Sequence, residues 1–590
     1  MTDSQNPALG PALAPAPAAE NPTAPALPRT ALPKFWGLLT RRPYALLALL
    51  GLLMWLPGVV SLPALDRDES RFAQASRQMV ESGDPVDIRL GQVPRYKKPA
   101  GIYWLQSAST VVTGAIFHQG ETTHIWTYRL VSLLGAIAVA WLTLWCALAL
   151  ASVEVGLVAA LLMLSTLLLA AEATIATTDA VLLACVLAVQ GVLLRVYRAA
   201  REPDAPQPSR RMILWGWAAC AAGILVKAPV VPGVAIVTIA GLAVWDRDIR
   251  WLRKLHALPG FLLTVLLVTP WLVAITIQSQ GAFFEHSLGN DFAAKLAGGQ
   301  ESHGMWPGYY LLLSAATFFP AILFVAPGIV LGIVRRNDAA IRFLLVWAGA
   351  WWLLVEAVPT KLPHYVLSSY PALAILAALF VLTVPTTTDP RWLTVARWIG
   401  RVQFVIGAVV LTVAVLLLPR LYGEGDAWWL MALAAAGAVL AITALVLSLR
   451  QAQSWAVLVS LLAMLVFVPT LLAGVAPRLS QIWVTERLKP LVREASRPGD
   501  PPLALAGYQE PSMLFAFGKD VVLADGARAA DAGAKSGGLA LVEDDELGGF
   551  LARLAELQAD ADKVGELTGF NYSRGRKVHV TLYRVTRLPE

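Results

Sequence analysis

Apolar runs of about 17–25 residues recur between residues 44 and 475, and each is long enough to cross the roughly 30 Å hydrocarbon core of a bilayer as a helix. In hydrocarbon a chain must satisfy its own backbone N–H and C=O groups, so repeated runs of this length predict a helical bundle. Composition agrees, because only 15% of residues are charged, against roughly 25% in a soluble domain. The 21 tryptophans suit a protein with two membrane interfaces. The expected fold class is a polytopic α-helical membrane protein. The net charge of +7 is no nucleic-acid signature, since most Lys and Arg lie in short loops between apolar runs. Cys146, Cys185 and Cys220 all fall inside apolar runs and read as small buried hydrophobes, without metal spacing or a disulfide framework.

Basic loops should face the cytoplasm. Arg195–Arg211, Arg247–Lys254, Arg335–Arg342, Arg391–Arg401 and Arg450 mark five of them, and Lys34, Arg41 and Arg42 put the N-terminus on the same side. Four apolar runs separate the first crossing from the first of these loops, but only three crossings put its arginines inside. The run 103–117 is short and carries Gln106, Ser107, Ser109, Thr110 and Thr113, so it is read as a helix lying at the outer interface. Alternation then predicts about 13 transmembrane helices. Residues 1–33, rich in Pro and Ala, should form a disordered cytoplasmic tail. Residues 34–475 form the membrane domain, which places an interfacial segment 65–125 and a loop 280–306 outside. From 476 to 590 the composition changes. "LALAGY", "DVVLAD", "GLALVE" and "VHVTLYRV" read as short strands and "DELGGFLARLAELQ" as a helix, predicting a small outer α/β domain.

Charges crowd the outer side. In "LDRDESRFAQASRQMVESG", Phe72, Ala75, Ser76 and Met79 share one face of an amphipathic helix beginning at Asp68 and Glu69. Those carboxylates either cap the helix dipole or do chemistry. Lys97 and Lys98 either snorkel or hold a phosphate. Asp179, after Thr177 and Thr178, is either a cap or a functional intramembrane carboxylate. Lys227 sits in a Pro-bounded turn. The loop "FFEHSLGNDFAAKLAGGQESH" carries Glu285, His286, Asp291, Lys295, Glu301 and His303, and "KLPHY" adds Lys361, His364 and Tyr365. Lys98, Lys227, Lys295 and Lys361 all defy the positive-inside bias. A membrane-borne phosphate would neutralise them. With Asp68 and Asp179 nearby, the set suggests group transfer from a lipid-linked phosphate.

The succession "DESRFAQASRQMVESGD", "YKKPAGIYWL", "TTDAV", "VKAP", "TPWLVAI", "FFEH" and "KLPHYVLSSYP" resembles the aminoarabinose lipid A transferases, GT-C glycosyltransferases akin to the protein O-mannosyltransferases. The resemblance covers roughly residues 40–380. It implies 13 transmembrane helices, a periplasmic C-terminal domain and a location in the bacterial inner membrane. It also implies an inverting transfer of a sugar from an undecaprenyl-phosphate-linked donor to lipid A, lipopolysaccharide or another envelope acceptor at the periplasmic face. By the same resemblance Asp68 is the catalytic aspartate with Glu69 beside it, and Asp179 a second carboxylate of the cavity. Lys98, Lys361 and Tyr365, with Lys295 and Lys227, would bind donor phosphate. His286 and Glu285 would lie near a divalent metal. Lys97 stands where the family carries a metal-binding Glu, and a protonated Lys repels a cation, so a metal site of the family's kind is not expected. A protein O-glycosyltransferase and a lipid-linked sugar flippase are the alternatives. A flippase should show internal repeats and helices broken at mid-membrane, and the sequence has no internal repeat.

Overall fold

The computed structural model describes residues 36–117, 122–287, 304–383 and 391–586. The expected tail 1–33 and most of the loop 280–306, with Asp291, Lys295, Glu301 and His303, lie outside the described residues. Helix α1 (Pro43–Ser61) enters the membrane with a proline at its first position, where the missing N–H costs nothing. Four elements form the outer segment: α2 (Asp68–Ser82), a hairpin of β1 (Arg89–Leu90) and β2 (Val93–Pro94), and α3 (Gly101–Phe117). The bundle continues with α4 (Ile125–Ala147), α5 (Val153–Leu164), α6 (Leu167–Thr174), α7 (Asp179–Arg201), α8 (Arg210–Lys227), α9 (Val230–Asp246) and α10 (Ala257–Gln278). Then follow α11 (Tyr309–Thr317), α12 (Ile322–Val334), α13 (Ala339–Ala357), a 3-10 turn (Pro363–Ser369), α14 (Tyr370–Val381), α15 (Arg391–Tyr422), α16 (Trp428–Leu449) and α17 (Gln453–Pro469).

Among the described residues nine helices are long and apolar enough to cross a bilayer, or ten with the bent pair α5 and α6. Three further expected crossings fall short of that test: α8 is charged at both ends, α9 is shorter, and α11–α12 is interrupted at residues 318–321. The two breaks compensate one another. α5 and α6 meet at 64°, and the N–H of Leu167 at that bend donates to the carbonyl of Phe319 in the other break, at 3.1 Å. Backbone groups released inside a bilayer need such a partner.

The 19 residues Pro363–Val381 form the centre, 83% buried, while α10, α15 and α16 are only 28% buried and present their apolar sides outward. At the end of the bundle away from Asp179, Asp246 accepts from Tyr197 (2.6 Å) and pairs with Arg201 (3.1 Å) and Arg342, joining α7, α9 and α13. At the outer end α3 is polar inside and apolar outside. Gln106, Thr110 and Thr113 are buried, whereas Leu105, Val112, Ile116 and Phe117 are exposed, the arrangement a helix against lipid requires.

The chain beyond α17 forms a five-stranded sheet in the order β4 (Val522–Ala524), β3 (Ala504–Ala506), β5 (Gly538–Glu543), β7 (Arg576–Val585), β6 (Ala561–Asn571). β3 pairs in parallel with β4 and β5, while β7 is antiparallel to both β5 and β6. The β6–β7 register shifts at a bulge between Lys563 and Gly565. Helices α18 (Val484–Ala495), α19 (Pro511–Phe517), α20 (Gly526–Ser536) and α21 (Asp544–Leu557) pack on the sheet.

This domain docks on the outer segment. The guanidinium of Arg77 in α2 donates to the carbonyl of Phe515 in α19 (3.0 Å), and Gln92 in the β1–β2 turn donates to Asp520 (2.9 Å). Asp66 is buried in the interface, where desolvation first, and the Glu510 carboxylate second, push its carboxyl from 3.8 up to about 7 against the opposing pull of Ser512, Arg67 and Tyr508. A carboxyl raised in the docked state holds a proton there that the released or unfolded chain gives up. The contribution of Asp66 to docking is therefore fully present below about pH 4, falls by roughly 1.4 kcal/mol per pH unit up to about pH 7, and then levels off. Asp66→Asn should flatten that slope and raise stability at pH 8 relative to the wild type. Thermal melts from pH 4 to 8 check this, and parallel slopes in both proteins would refute it.

Candidate active site

Five outer helix ends converge beneath the docked domain. Asp68 opens α2, Asp179 opens α7, Lys227 closes α8, Glu172 lies in the last turns of α6, and His364 and Tyr365 lie in the 3-10 turn before α14. α2 starts at Asp68 because the dipole of an N-terminus favours acid, and stops at Ser82 because Gly83 takes the left-handed conformation (φ 71°). Gly101, at the start of α3, lets the Lys97–Pro99 segment approach α8. A Cβ there would stand 2.7 Å from the carbonyl oxygen of Leu225.

The Lys227 ammonium bonds the Asp179 carboxylate at 2.7 Å, and the Thr178 hydroxyl donates to the same carboxylate at 3.0 Å. Thr177 donates to Glu172 at 2.8 Å. The imidazole of His364 bridges the two acids, its Nδ1 3.8 Å from Glu172 and its Nε2 3.9 Å from Asp179. The charges of Asp68, Lys227 and Lys98 all reach His364, and Tyr365 lies close enough to Lys227 to act on its charge. The indole N–H of Trp351 fixes the Tyr365 carbonyl at 2.8 Å.

Asp68 lies close enough to His364 and Lys227 to feel their charges. Its side chain is 62% exposed, although protein surrounds it on most sides, the situation of a residue in an open recess. Being shut in would raise its carboxyl, but Arg71, Arg95, His364 and Lys227 outweigh that and hold it below the usual carboxylate value. Arg71 reaches it at 3.3 Å. Arg95 is buried, lies 5.4 Å over the Phe72 ring and donates to the Tyr103 hydroxyl at 3.3 Å. The recess thus holds one open, ionised carboxylate in a field of cations, which suits an anionic ligand and a carbon that becomes electron-poor.

The structure therefore brings Asp68, Lys98, Asp179, Lys227 and Tyr365 together. Other expected site residues have different surroundings. Glu69 is buried and accepts from both arms of the equally buried Arg129 (2.7 Å each), from Leu65 N–H (2.9 Å) and from Ala176 N–H (2.7 Å). With those acceptor positions filled it is a structural anchor, not a catalytic group. Lys361 is also buried. Its ammonium bonds the carbonyls of Glu356 (2.5 Å) and Val358 (3.0 Å) and lies 3.5 Å from the Glu356 carboxylate, so it caps the end of α13 instead of reaching donor phosphate. Lys227 is neutralised by Asp179, so its contribution to an anion is the field of an ion pair. Glu285 and His286 are exposed, the His286 ring 6.4 Å from Tyr96. Among the described residues no group of three or more His, Cys, Asp or Glu could hold a metal. With exposed Lys97 beside Tyr96, these two residues do not fit a divalent ion. Lys295 lies outside the described residues.

Sequence reasoning missed Arg71, Arg95 and Glu172 as site members and gave His364 no role. Arg71 was within reach of it, since a position three after Asp68 shares its helix face. Glu172, a lone acid inside "LLLAAEAT", carried the same signal as Asp179.

The chain is similar to known proteins in sequence and in fold. The family model "Dolichyl-phosphate-mannose-protein mannosyltransferase" matches residues 44–282. The undecaprenyl phosphate-alpha-4-amino-4-deoxy-L-arabinose arabinosyl transferase of Pectobacterium carotovorum subsp. carotovorum is 24% identical over 405 residues, covering 67% of this chain and 69% of the relative. Its namesake in Yersinia pestis is 25% identical over 419 residues, covering 70% and 73%. The crystal structure of ArnT from Cupriavidus metallidurans bound to undecaprenyl phosphate superposes with a TM-score of 0.71 at 20% identity, covering 92% of this chain and 98% of that one. The chain is thus a multi-helix membrane protein that shares the fold of ArnT and is similar in sequence to the aminoarabinose transferases over about two thirds of its length.

Proposed function

We propose that the protein is a glycosyltransferase of the bacterial inner membrane. It moves a sugar, with inversion, from a polyprenyl-phosphate carrier to a lipid A-type acceptor on the periplasmic side. The observation that carries this reading is an apolar groove of 1210 Å³ between α3, α4, α7 and α8, whose lining begins at Val181, two residues after Asp179 of the cationic recess. The groove is lined by Leu105, Val112, Leu134, Val181 and Trp215 and runs toward Arg211. Along α8 alone it covers about 17 Å at 1.5 Å per residue. A polyprenyl chain fits such a slot, which delivers its phosphate to Lys98, Tyr365 and the arginines beside Asp68.

The bond that breaks joins the anomeric carbon to the phosphate oxygen. The electron pair leaves with the phosphate, where Lys98, Arg71 and Arg95 offset the added charge. Asp68, kept ionised, faces the sugar from the other side. It takes the proton from a hydroxyl acceptor, or orients a phosphate acceptor, already a nucleophile, and stabilises positive charge on the ring. Asp179, held by Lys227 and bridged by His364, orients the sugar or acceptor. The match to the protein mannosyltransferase model favours a protein acceptor as the second reading.

Purified protein in vesicles, given undecaprenyl phosphate-linked 4-amino-4-deoxy-arabinose with lipid A in one arm and periplasmic protein in the other, tests both. Mass spectrometry should find the sugar on lipid A. Sugar on protein alone would favour the second reading, and donor moved across the bilayer without transfer would overturn both. In the same assay Lys98→Ala should raise the donor KM about 10-fold or more, the worth of one charged hydrogen bond. An unchanged KM would remove Lys98 from the phosphate site.

A further inference from the structure

We infer that the tip of the β6–β7 hairpin in the C-terminal domain positions Asp68, through contacts of Tyr572 and Ser573 with the two residues before it. The inference rests on the reading of Asp68 as the catalytic carboxylate, and it gives the C-terminal domain a part in the reaction.

The turn entering α2 is held from outside the membrane domain. The backbone N–H of Asp66 donates to the Tyr572 hydroxyl at 2.6 Å, and the guanidinium of Arg67 donates to the carbonyl of Ser573. Some 506 residues separate these partners in sequence. Arg67 has φ 62° and ψ −114°, a region that residues with a Cβ rarely occupy and that persists only where the surroundings impose it. It is also the residue immediately before Asp68, so its φ and ψ set where the Asp68 side chain starts. Relaxing Arg67 to an ordinary extended or helical conformation would swing α2's first carboxylate away from His364 and Lys227.

The hairpin is built to bear this. Next to the tip the N–H of Phe570 donates to the carbonyl of Gln481 (2.7 Å), and the N–H of Gln481 donates to the carbonyl of Tyr422 at the end of α15 (2.9 Å). At its tip the buried amide of Asn571 donates to the buried carboxylate of Glu510 (2.9 Å), and the Tyr572 ring meets Trp483 edge-on at 6.2 Å. The hairpin tip thus works as a short strut, tied through Gln481 to the membrane bundle and through Tyr572 and Ser573 to residues 66 and 67, and it holds Asp68 in place. These contacts act on Asp68 through the turn before it, so Tyr572, Ser573 and Arg67 are positioning residues.

Tyr572→Phe keeps the ring against Trp483 and removes only the hydroxyl, and Arg67→Ala removes the anchor on Ser573. In the vesicle assay both should lower kcat about 10- to 100-fold, the effect of a misplacement near 1 Å. The donor KM should stay within about twofold, because the phosphate contacts are untouched. Arg67→Lys, which can still reach the Ser573 carbonyl, should recover more activity than Arg67→Ala. A kcat within about twofold of wild type in both Tyr572→Phe and Arg67→Ala would overturn the inference. So would a loss that follows the melting temperature with KM rising in step, or an Arg67→Lys no better than Arg67→Ala. Asp68→Asn is run alongside. If it alone is inactive while both positioning variants are normal, only the strut fails. If Asp68→Asn is itself active, the catalytic reading fails and the inference with it.

Discussion

Asp68→Asn is expected to lower turnover by about 10²–10⁴-fold, the range for removing a general base, while protein yield, melting temperature and donor KM stay close to wild type. The side chain is open and structurally undemanding. Its ion-pair partner, Arg71 at 3.3 Å, is itself partly exposed, so an amide of the same shape leaves no buried charge behind. What it removes is an ionised carboxylate that stays open to the recess, whereas Asp179 is shut in against Lys227. The measurement is single-turnover sugar transfer at saturating donor. Activity within tenfold of wild type would exclude Asp68 from the chemical step.

One residue along, the expected outcome inverts. Glu69→Ala should cost about 3–5 kcal/mol, the typical loss when one partner of a buried ion pair is removed, against a total stability of about 5–15 kcal/mol for a typical domain. The reason is Arg129. Its guanidinium is fully buried in α4 and also donates to the carbonyls of Val59 (3.1 Å), Leu62 (2.6 Å) and Pro63 (2.8 Å). Glu69 supplies its charge balance and joins α2 to α4 and to the turn between α6 and α7. Without the carboxylate, these three segments lose their common fastening. Low yield and a steep fall in melting temperature should follow, with partial recovery when Arg129 is replaced together with Glu69 by apolar residues. Glu69→Gln should keep most turnover per folded molecule, and a well-folded, inactive Glu69→Gln would contradict the structural assignment.

These neighbours mark the boundary of what the sequence could tell. Periodicity and acid placement locate α2 to the residue, and the inside-out polarity of α3 is visible in Gln106, Thr110 and Thr113. β5 is readable as "GLALVE" because a continuous apolar run suits a strand covered on both faces. β6, "ADKVGELTGFN", was missed, because its two glycines and its charges break any alternation and its pairing with β7 decides it. Asp68 and Glu69 look equivalent in sequence. Their difference lies in Arg129, sixty residues away, and no local pattern connects the two. Lys361 was legible as an outer-side lysine, but its actual acceptors are backbone carbonyls, which every residue has and no sequence displays. The kink between α11 and α12 had a visible cause in Pro320, yet its partner bend at Leu167 carries no proline and follows from packing.

The bulge in β6 bears on how copies of the protein tolerate one another. Embedded in one plane, neighbouring molecules hold their sheets at the same height, with collisions confined to two dimensions, where a bare strand margin would invite stacking into ribbons. The register slip between Lys563 and Gly565 twists that margin, and exposed Asp562, Lys563 and Glu566 line it with alternating charge. Crowding in the membrane thus meets a frayed, electrified rim that a second sheet cannot extend.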